Sequence, residues 1–518
     1  MKLSKKIKFN LFMLLIVLNI ILRQTSPHEI GRDSFDIHIL ANSVSTFGRA
    51  EWWLRPESIF GLYPNSYSSS VPFLSSGISQ SIEVDMERVI WLFCVIIGLF
   101  SIFAAYILAG KIIDDDLFKF LVAFSFSISP GILYYSTWTL TSRGTFIILL
   151  PMFVCLLLKS RTAIVRYSLL TFILSILLFA THHLAYFLIL IFVSYFIIVI
   201  FYNLKRYINF VKIPEKFVTF ALVTAFIVMF TIPFHTGRFI GGSRYAEIIE
   251  IFFGYLPRYI GVLLIIAVGG FTYLLFKPNK RFGDWFLLLT LLLLTPFLYI
   301  QTYMKWIIPT FVVLLVGIGL INVIKLHEQN KKNIRIIIVI LLLLHVSFSG
   351  FYQFLHTYKE PLFGRYMQET TYTAGIWVKD NINGSTVSNE EVTGIRIFAV
   401  SGIPLFTGHD VVDQVYGFTN VSHSKFRKRP ITSEEYWFDG PYEKIAGSTA
   451  EDNWHFLMKN SYNKLVPKLN LTHVIENKKT YGARVSRHKN IKSEFLQYIY
   501  GKKDNIFDNG VIAVWNLN

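Results

Sequence analysis

Long apolar runs separated by short polar breaks fill the first two thirds of the chain, and the pattern changes near Phe351. A helix rises about 1.5 Å per residue and the hydrocarbon core is about 30 Å thick, so such runs are long enough to cross a bilayer. The pattern predicts helices near 9–23, 88–109, 117–133, 144–158, 167–181, 184–202, 217–234, 257–276, 285–300, 306–324 and 335–350, about eleven crossings. Pro130, Gly131 and Gly144 interrupt the stretch from Leu117 to Leu158, where a re-entrant path is the alternative. The first run follows Lys2, Lys5, Lys6 and Lys8 as a signal peptide would, but no small-residue cleavage site follows, so it reads as a retained helix.

Beyond Phe351 the apolar runs shorten, with Gly, Asn, Thr and Ser between them. STVSNEEV, GIRIFAVSGIPLF, LTHVIEN and GVIAVWNL read as strands, and TAGIWVKDNI as a short amphipathic helix. The architecture expected is a polytopic α-helical membrane domain over 1–350, with a first exterior loop at 24–87, followed by an extracytoplasmic α+β domain over 351–518. Sequons at Asn383, Asn420 and Asn470 are compatible with an exterior tail.

Charge supports this topology. The formal net charge is +17, yet the region from Phe351 onward carries 20 Lys/Arg against 17 Asp/Glu, so nearly all the excess belongs to the membrane segments. It collects at the amino terminus and in the loops Lys159–Arg166, Lys205–Lys216, Lys277–Arg281 and Lys325–Arg335. With the amino terminus cytoplasmic, all five segments fall inside, as the positive-inside rule requires, and the tail falls outside. The same distribution argues against nucleic acid as a partner. Both cysteines, Cys94 and Cys155, lie within apolar runs, which removes a disulfide framework or a cysteine metal site from the exterior regions. No Gly-rich phosphate loop precedes a helix, and no Cys/His zinc spacing occurs.

Ionisable residues are nearly absent from the middles of the spans, which argues against ion-coupled transport; His345 stands alone and reads as a packed, hydrogen-bonded residue. The acidic IIDDD at Ile112–Asp116 reads as a solvated turn. Polar groups gather instead at the exterior boundary. Asp33 and Asp36 share one face if DSFDIH is helical, with His38 just beyond. Such a pair can act as general base, hold a divalent cation, or position an acceptor; the structural alternative is that Asp33 caps a helix starting near Phe35. Trp52, Trp53 and Tyr63 suit a sugar face or the bilayer interface. Arg238 and Arg244 flank a Gly-Gly-Ser point, and Arg143, His182, His183 and Lys305 lie at the same depth. Together these could hold a lipid phosphate or pyrophosphate, or serve singly as interfacial anchors.

The layout resembles the GT-C superfamily of polyprenyl-phosphate-dependent glycosyltransferases, and within it archaeal oligosaccharyltransferase catalytic subunits. The matching pieces are RDSFDIHILANSVSTFG, WWLRPESIFGLYP, YIQTYMKWIIPTFVVLLVGIGL and TAGIWVKDNINGSTV. Two departures stand out: TWTLTSRGTF has no acid where the second acidic motif of oligosaccharyltransferases falls, and Tyr436-Trp437-Phe438-Asp439-Gly440 reorders their Trp-Trp-Asp-Tyr-Gly. The resemblance implies transfer of a sugar from a dolichyl- or polyprenyl-phosphate donor to a glycan, lipid or protein. It also implies Asp33, with Asp36 as competitor, as base or as ligand to Mg²⁺ or Mn²⁺, and an archaeal plasma membrane. Transfer to Asn, or a non-catalytic relative acting as scaffold or lipid flippase, are the alternatives.

Overall fold

The computed structural model describes residues 2–53, 55–63, 66–207, 215–235, 254–300, 304–326, 331–358, 365–408, 410–419, 426–433, 435–436, 440–444, 462–478 and 494–518. Among these, six helices are long and apolar enough to cross a membrane: Met86–Ile112, Ser142–Lys159, Ile164–Thr181, His183–Leu204, Met304–Lys325 and Asn333–Tyr358.

The membrane part comprises α1 (Lys5–Ile21), α4 (Met86–Ile112), α5 (Asp116–Ser127), α6 (Pro130–Tyr134), α7 (Ser142–Lys159), α8 (Ile164–Thr181), α9 (Leu188–Tyr207), α10 (Glu215–His235), α11 (Leu256–Ile260), α12 (Leu264–Phe276), α13 (Phe282–Leu294), α14 (Phe297–Ile300), α15 (Met304–Leu326) and α16 (Lys331–Tyr358). A helix occupies every predicted crossing, but three crossings are broken. Pro130 starts α6 after a gap behind α5, because a proline at the first helical position has no N–H to leave unpaired. Gly261, at φ +79°, separates α11 from α12, and Thr295 with Pro296 separates α13 from α14.

The first loop is more ordered than its composition suggests. It folds into α2 (Arg32–Phe47) and α3 (Ser70–Ile82). Gly31, at φ +92°, is the N-cap of α2, so Asp33 stands in the first turn rather than at the cap. There a carboxylate is favoured by the helix dipole. α2 is buried almost along its length, which its weak periodicity did not reveal. Ile37 and Ala41 join the membrane core, Phe35 and Ile39 pack with Met367, Val378 and Phe398 of the tail, and Leu40 and Val44 pack with Trp52 and Val415.

The IIDDD turn is solvated at Asp114 only, and its other two aspartates are buried. Asp116 is buried and accepts from Lys8 Nζ (2.8 Å) and the Leu3 N–H (3.0 Å), while buried Asp115 caps α5 by accepting from the Phe118 N–H (3.1 Å). Asp116 thereby ties down the amino-terminal arm, and Asp114 adds an ion pair to Lys2 at 3.1 Å.

The tail carries a five-stranded mixed sheet in the order β2-β1-β5-β7-β6, from β1 (Ser385–Ser388), β2 (Leu405–Phe406), β5 (Leu471–Asn477), β6 (Asn505–Asp508) and β7 (Ile512–Asn516). β1 runs parallel to β2 and β5, and the other pairs are antiparallel. α17 (Glu369–Asn381) matches the helix expected at TAGIWVKDNI. GIRIFAVSGIPLF is not one strand: most of it lies in α18 (Glu391–Ser401), followed by β2. Its β-branched residues suggested a strand, but the stop and start signals of a helix decide. Glu390 accepts from the Thr393 N–H (3.2 Å), and Gly402 closes the helix in the left-handed region at φ +69°. A separate ribbon pairs β3 (Phe426–Lys428) with β4 (Tyr442–Lys444).

Tail and membrane part meet along α2. The Ile30 N–H donates to the Trp138 carbonyl (2.9 Å), and the Gly31 N–H donates to the Arg365 carbonyl (2.9 Å). Arg32 pairs with Glu391, and His28 bridges Glu87 of α4 and Glu369 of α17, at 3.0 Å each.

Candidate active site

At this junction lies a cavity of about 590 Å³. α2 contributes Arg32 and Asp33 to its wall, and Asp33 is exposed toward it. The short α6 ends at Tyr134 and Tyr135, and the following turn adds Thr139, Thr141 and Arg143. α11 supplies Arg258 and Tyr259 with Tyr255 just before it, α16 supplies Tyr352 and His356, and the tail closes the wall with Arg365 and Val392. Four guanidinium groups thus line a space with one carboxylate.

Aromatic rings hold two of these cations. The Arg143 guanidinium lies 4.1 Å from the Trp306 ring centre and 5.6 Å from that of Tyr135. Trp306 Nε1 donates to the Tyr135 hydroxyl (3.0 Å), which fixes that platform. Arg365 is buried, stands 3.6 Å over the Tyr134 ring, and donates through Nη2 to the Tyr134 carbonyl (3.2 Å). A ring orients a guanidinium without cancelling its charge, so the positive potential remains available to an anion. Such a lining suits a phosphate or pyrophosphate group.

Asp36 lies deeper than Asp33 and is buried. The Tyr67 phenol, also hydrogen-bonded to Ser142, is pushed above its ordinary range by burial first, and then by the Asp33 and Asp36 carboxylates. Tyr67 therefore stays a protonated donor beside both acids. His38 does not line the cavity. Its Nδ1 bonds Glu29 Oε2 at 2.7 Å, while Glu29 Oε1 accepts from Ser34 Oγ (2.5 Å), whose oxygen accepts from the Leu140 N–H (2.6 Å). This chain of buried groups holds the start of α2 against the turn before α7.

The other sequence candidates spread outward from Arg143. Lys305 Nζ sits 4.0 Å from the centre of Tyr255, a cavity-lining ring. The rings of His182 and His183 lie 4.1 Å apart, tilted by 41°, and do not line the cavity. Burial, with His183 and Arg143 adding, holds the His182 imidazole well below its ordinary range, and its Nδ1 accepts from the Leu184 N–H (3.0 Å). Trp52 is wholly buried in the cluster with Leu40, Val44 and Val415, so no sugar reaches its face. Trp53 is exposed and stacks on Phe73 at 5.0 Å. Tyr63 is buried against the β3–β4 ribbon, stacked on Tyr442 at 4.0 Å and edge-on to Phe426 at 5.8 Å. Arg238, Arg244 and the Trp437–Asp439 part of the tail motif lie outside the described residues.

Arg258, Arg365, His356 and the tyrosines were not among the sequence candidates. Arg258 in YLPRYIG and Arg365 in PLFGRYMQ each sit beside aromatic residues at an element boundary, the available signal.

A divalent cation takes about six oxygen ligands. Among the described residues no group of three or more His, Cys, Asp or Glu is placed to hold a metal ion. Asp33 and Asp36 supply two carboxylates beside a predominantly cationic wall, a donor set that does not by itself fit Mg²⁺ or Mn²⁺.

No protein-family model and no curated protein matches the chain. Solved structures do. The Archaeoglobus fulgidus oligosaccharyltransferase AglB, in complex with an inhibitory peptide and a dolichol-phosphate, shares 12% identity at a TM-score of 0.58 over 91% of this chain and 69% of its own. ArnT from Cupriavidus metallidurans, bound to undecaprenyl phosphate, shares 10% identity at 0.56 over 99% and 98%. The mycobacterial arabinofuranosyltransferase AftD shares 13% identity at 0.51 over 100% of this chain and 40% of its own. All three are GT-C glycosyltransferases. The chain therefore has the fold of the GT-C class of membrane glycosyltransferases, as the sequence resemblance implied. A further structure of the Archaeoglobus protein is a complex with zinc and sulfate.

Proposed function

We propose that the protein is a membrane glycosyltransferase that moves a sugar from a dolichyl- or polyprenyl-phosphate donor to a glycan, lipid or protein acceptor on the extracytoplasmic face. The observation that carries this reading is one accessible carboxylate, Asp33, set in a cavity lined by four arginines where α2, the membrane helices and the tail converge. The gathering of Lys and Arg in five segments that the positive-inside rule assigns to the cytoplasm supports the side.

In the reaction the Asp33 carboxylate takes the proton of the acceptor's nucleophilic group as that group attacks the sugar's anomeric carbon. The bond from that carbon to the phosphate oxygen breaks, and the phosphate leaves with the electron pair. Arg143, Arg258 and Arg365 stabilise its charge in a cavity with few competing carboxylates. Asp36 and Tyr67 set the field around Asp33, and His38 acts at a distance by holding α2 through Glu29. Lys305, on the Trp306 ring that also carries Arg143, and the His182–His183 pair add cationic and hydrogen-bonding groups near Arg143. The acceptor is taken from outside the bilayer and the lipid donor from within it.

The test is transfer in proteoliposomes from a panel of radiolabelled polyprenyl-phosphate sugars to glycan, lipid and peptide acceptors, with and without Mg²⁺ or Mn²⁺. Transfer with one donor supports the reading and identifies the sugar. Retained lipid binding with no transfer from any donor would favour a scaffold, and lipid translocation without glycosyl product a flippase.

A further inference from the structure

His345 is not isolated in the fold. It begins a row on α16 formed with Ser349, Gln353 and His356, at spacings of four, four and three residues, which places all four on one helix face. At about 1.5 Å per residue the row runs roughly 16 Å inward from His356, a residue of the Asp33 cavity wall. The face is covered by protein rather than lipid: His345, Ser349 and Gln353 are each 0% exposed, whereas Leu343 and Leu344 are 61% and 52% exposed.

Both ring nitrogens of His345, the Ser349 hydroxyl, and both amide atoms of Gln353 are buried without a hydrogen-bond partner among the described residues. A buried polar atom left unpaired is costly, and one after another along a single face calls for a shared partner. The neighbouring backbone points the same way. His345 lies where two broken helices meet: a Cβ at Gly261, between α11 and α12, would come within 2.9 Å of its ring and within 3.3 Å of Pro130, which starts α6. Non-helical backbone at membrane depth is tolerated where it is buried in protein or lines a water-filled space, and here it adjoins the His345 ring, whose two nitrogens lack a partner among the described residues.

We propose that this face of α16 binds a file of water molecules that joins the His345 junction to the Asp33 cavity. The ligand is water because the side chains include both donors and acceptors and carry no fixed charge, and a bound water makes about three hydrogen bonds to such groups. The file is independent of whether the cavity transfers sugar. It gives that cavity a hydrated path toward the centre of the membrane domain, through which protons and water exchange.

Radiolytic hydroxyl labelling of the full-length protein in nanodiscs tests it, since radicals formed from bound water mark the side chains beside them. With each site normalised to the unfolded chain, His345 is expected to label several-fold above Leu343 and Leu344. In the double variant Ser349→Ala/Gln353→Leu, labelling at His345 is expected to fall several-fold while that of exposed Trp53 is unchanged. Labelling of His345 no greater than that of the lipid-facing leucines in the wild type, which needs no variant to fold, would overturn the proposal. So would unchanged labelling in a folded double variant.

Discussion

The guanidinium of Arg365, in the tail, lies 3.6 Å over the ring of Tyr134 at the end of α6 and donates to the Tyr134 carbonyl at 3.2 Å. The candidate site is therefore incomplete without the tail domain, which sets one of its charges on a membrane-helix platform.

Replacing that charge has a predictable cost. Removing one donor that stabilises developing negative charge lowers kcat by about 10²–10³-fold in well-studied enzymes. Arg365→Ala is expected to lose transfer on that scale, while Arg365→Lys, which lacks the planar fork, recovers part of it. Unchanged transfer by a correctly folded Arg365→Ala protein would remove this residue from the phosphate site.

The two adjacent tryptophans are expected to behave differently. Trp52 is fully buried against Leu40, Val44 and Val415, so Trp52→Ala should cost about 3–5 kcal/mol of stability by leaving a cavity. Trp53 is exposed on Phe73, and Trp53→Ala should cost less than about 1 kcal/mol. Denaturation midpoints of the two variants, measured by fluorescence in the same detergent, check the order.

His28 ties the domains together in a pH-dependent way. Its pKa is raised above the ordinary 6.5 chiefly by the hydrogen bond to Glu87, with Glu369 adding and burial opposing. A raised folded-state value means that the imidazolium's contribution is complete below the unfolded value, near 6.5, and is lost as pH rises through the folded one. Hydrogen exchange at α17 and at the start of α4 is expected to quicken as pH climbs through that window, after correction for intrinsic exchange. His28→Gln should abolish the pH step; a step that persists in that variant would assign it elsewhere.

The hydrophobic pattern located the membrane helices because apolar length is a strong local signal, but it could not locate the breaks. Gly261 is one small residue in a long run, and its strain-free break is visible only against Pro130 and His345. Asp33 and Arg143 stood out as charges beside apolar runs, and both line the cavity. Arg258 and Arg365 lie 225 and 332 positions from Asp33, and only the fold brings them to it. By sequence Trp52 and Tyr63 suit a sugar face or the bilayer interface, but an aromatic ring in a loop is equally suited to packing, and here the rings are buried against the tail's Val415 and Tyr442. His38 beside two aspartates suggested catalysis, while its partner Glu29, nine residues earlier, gives it a place in the scaffold.

The role of Asp33 as general base is tested by glycosyl transfer in Asp33→Asn and Asp36→Asn, compared with wild type using the best donor of the panel. Loss of a general base costs about 10²–10⁴-fold. A loss on that scale is expected for Asp33→Asn with donor binding retained, and a smaller loss for Asp36→Asn. Full activity in a folded Asp33→Asn protein would contradict it.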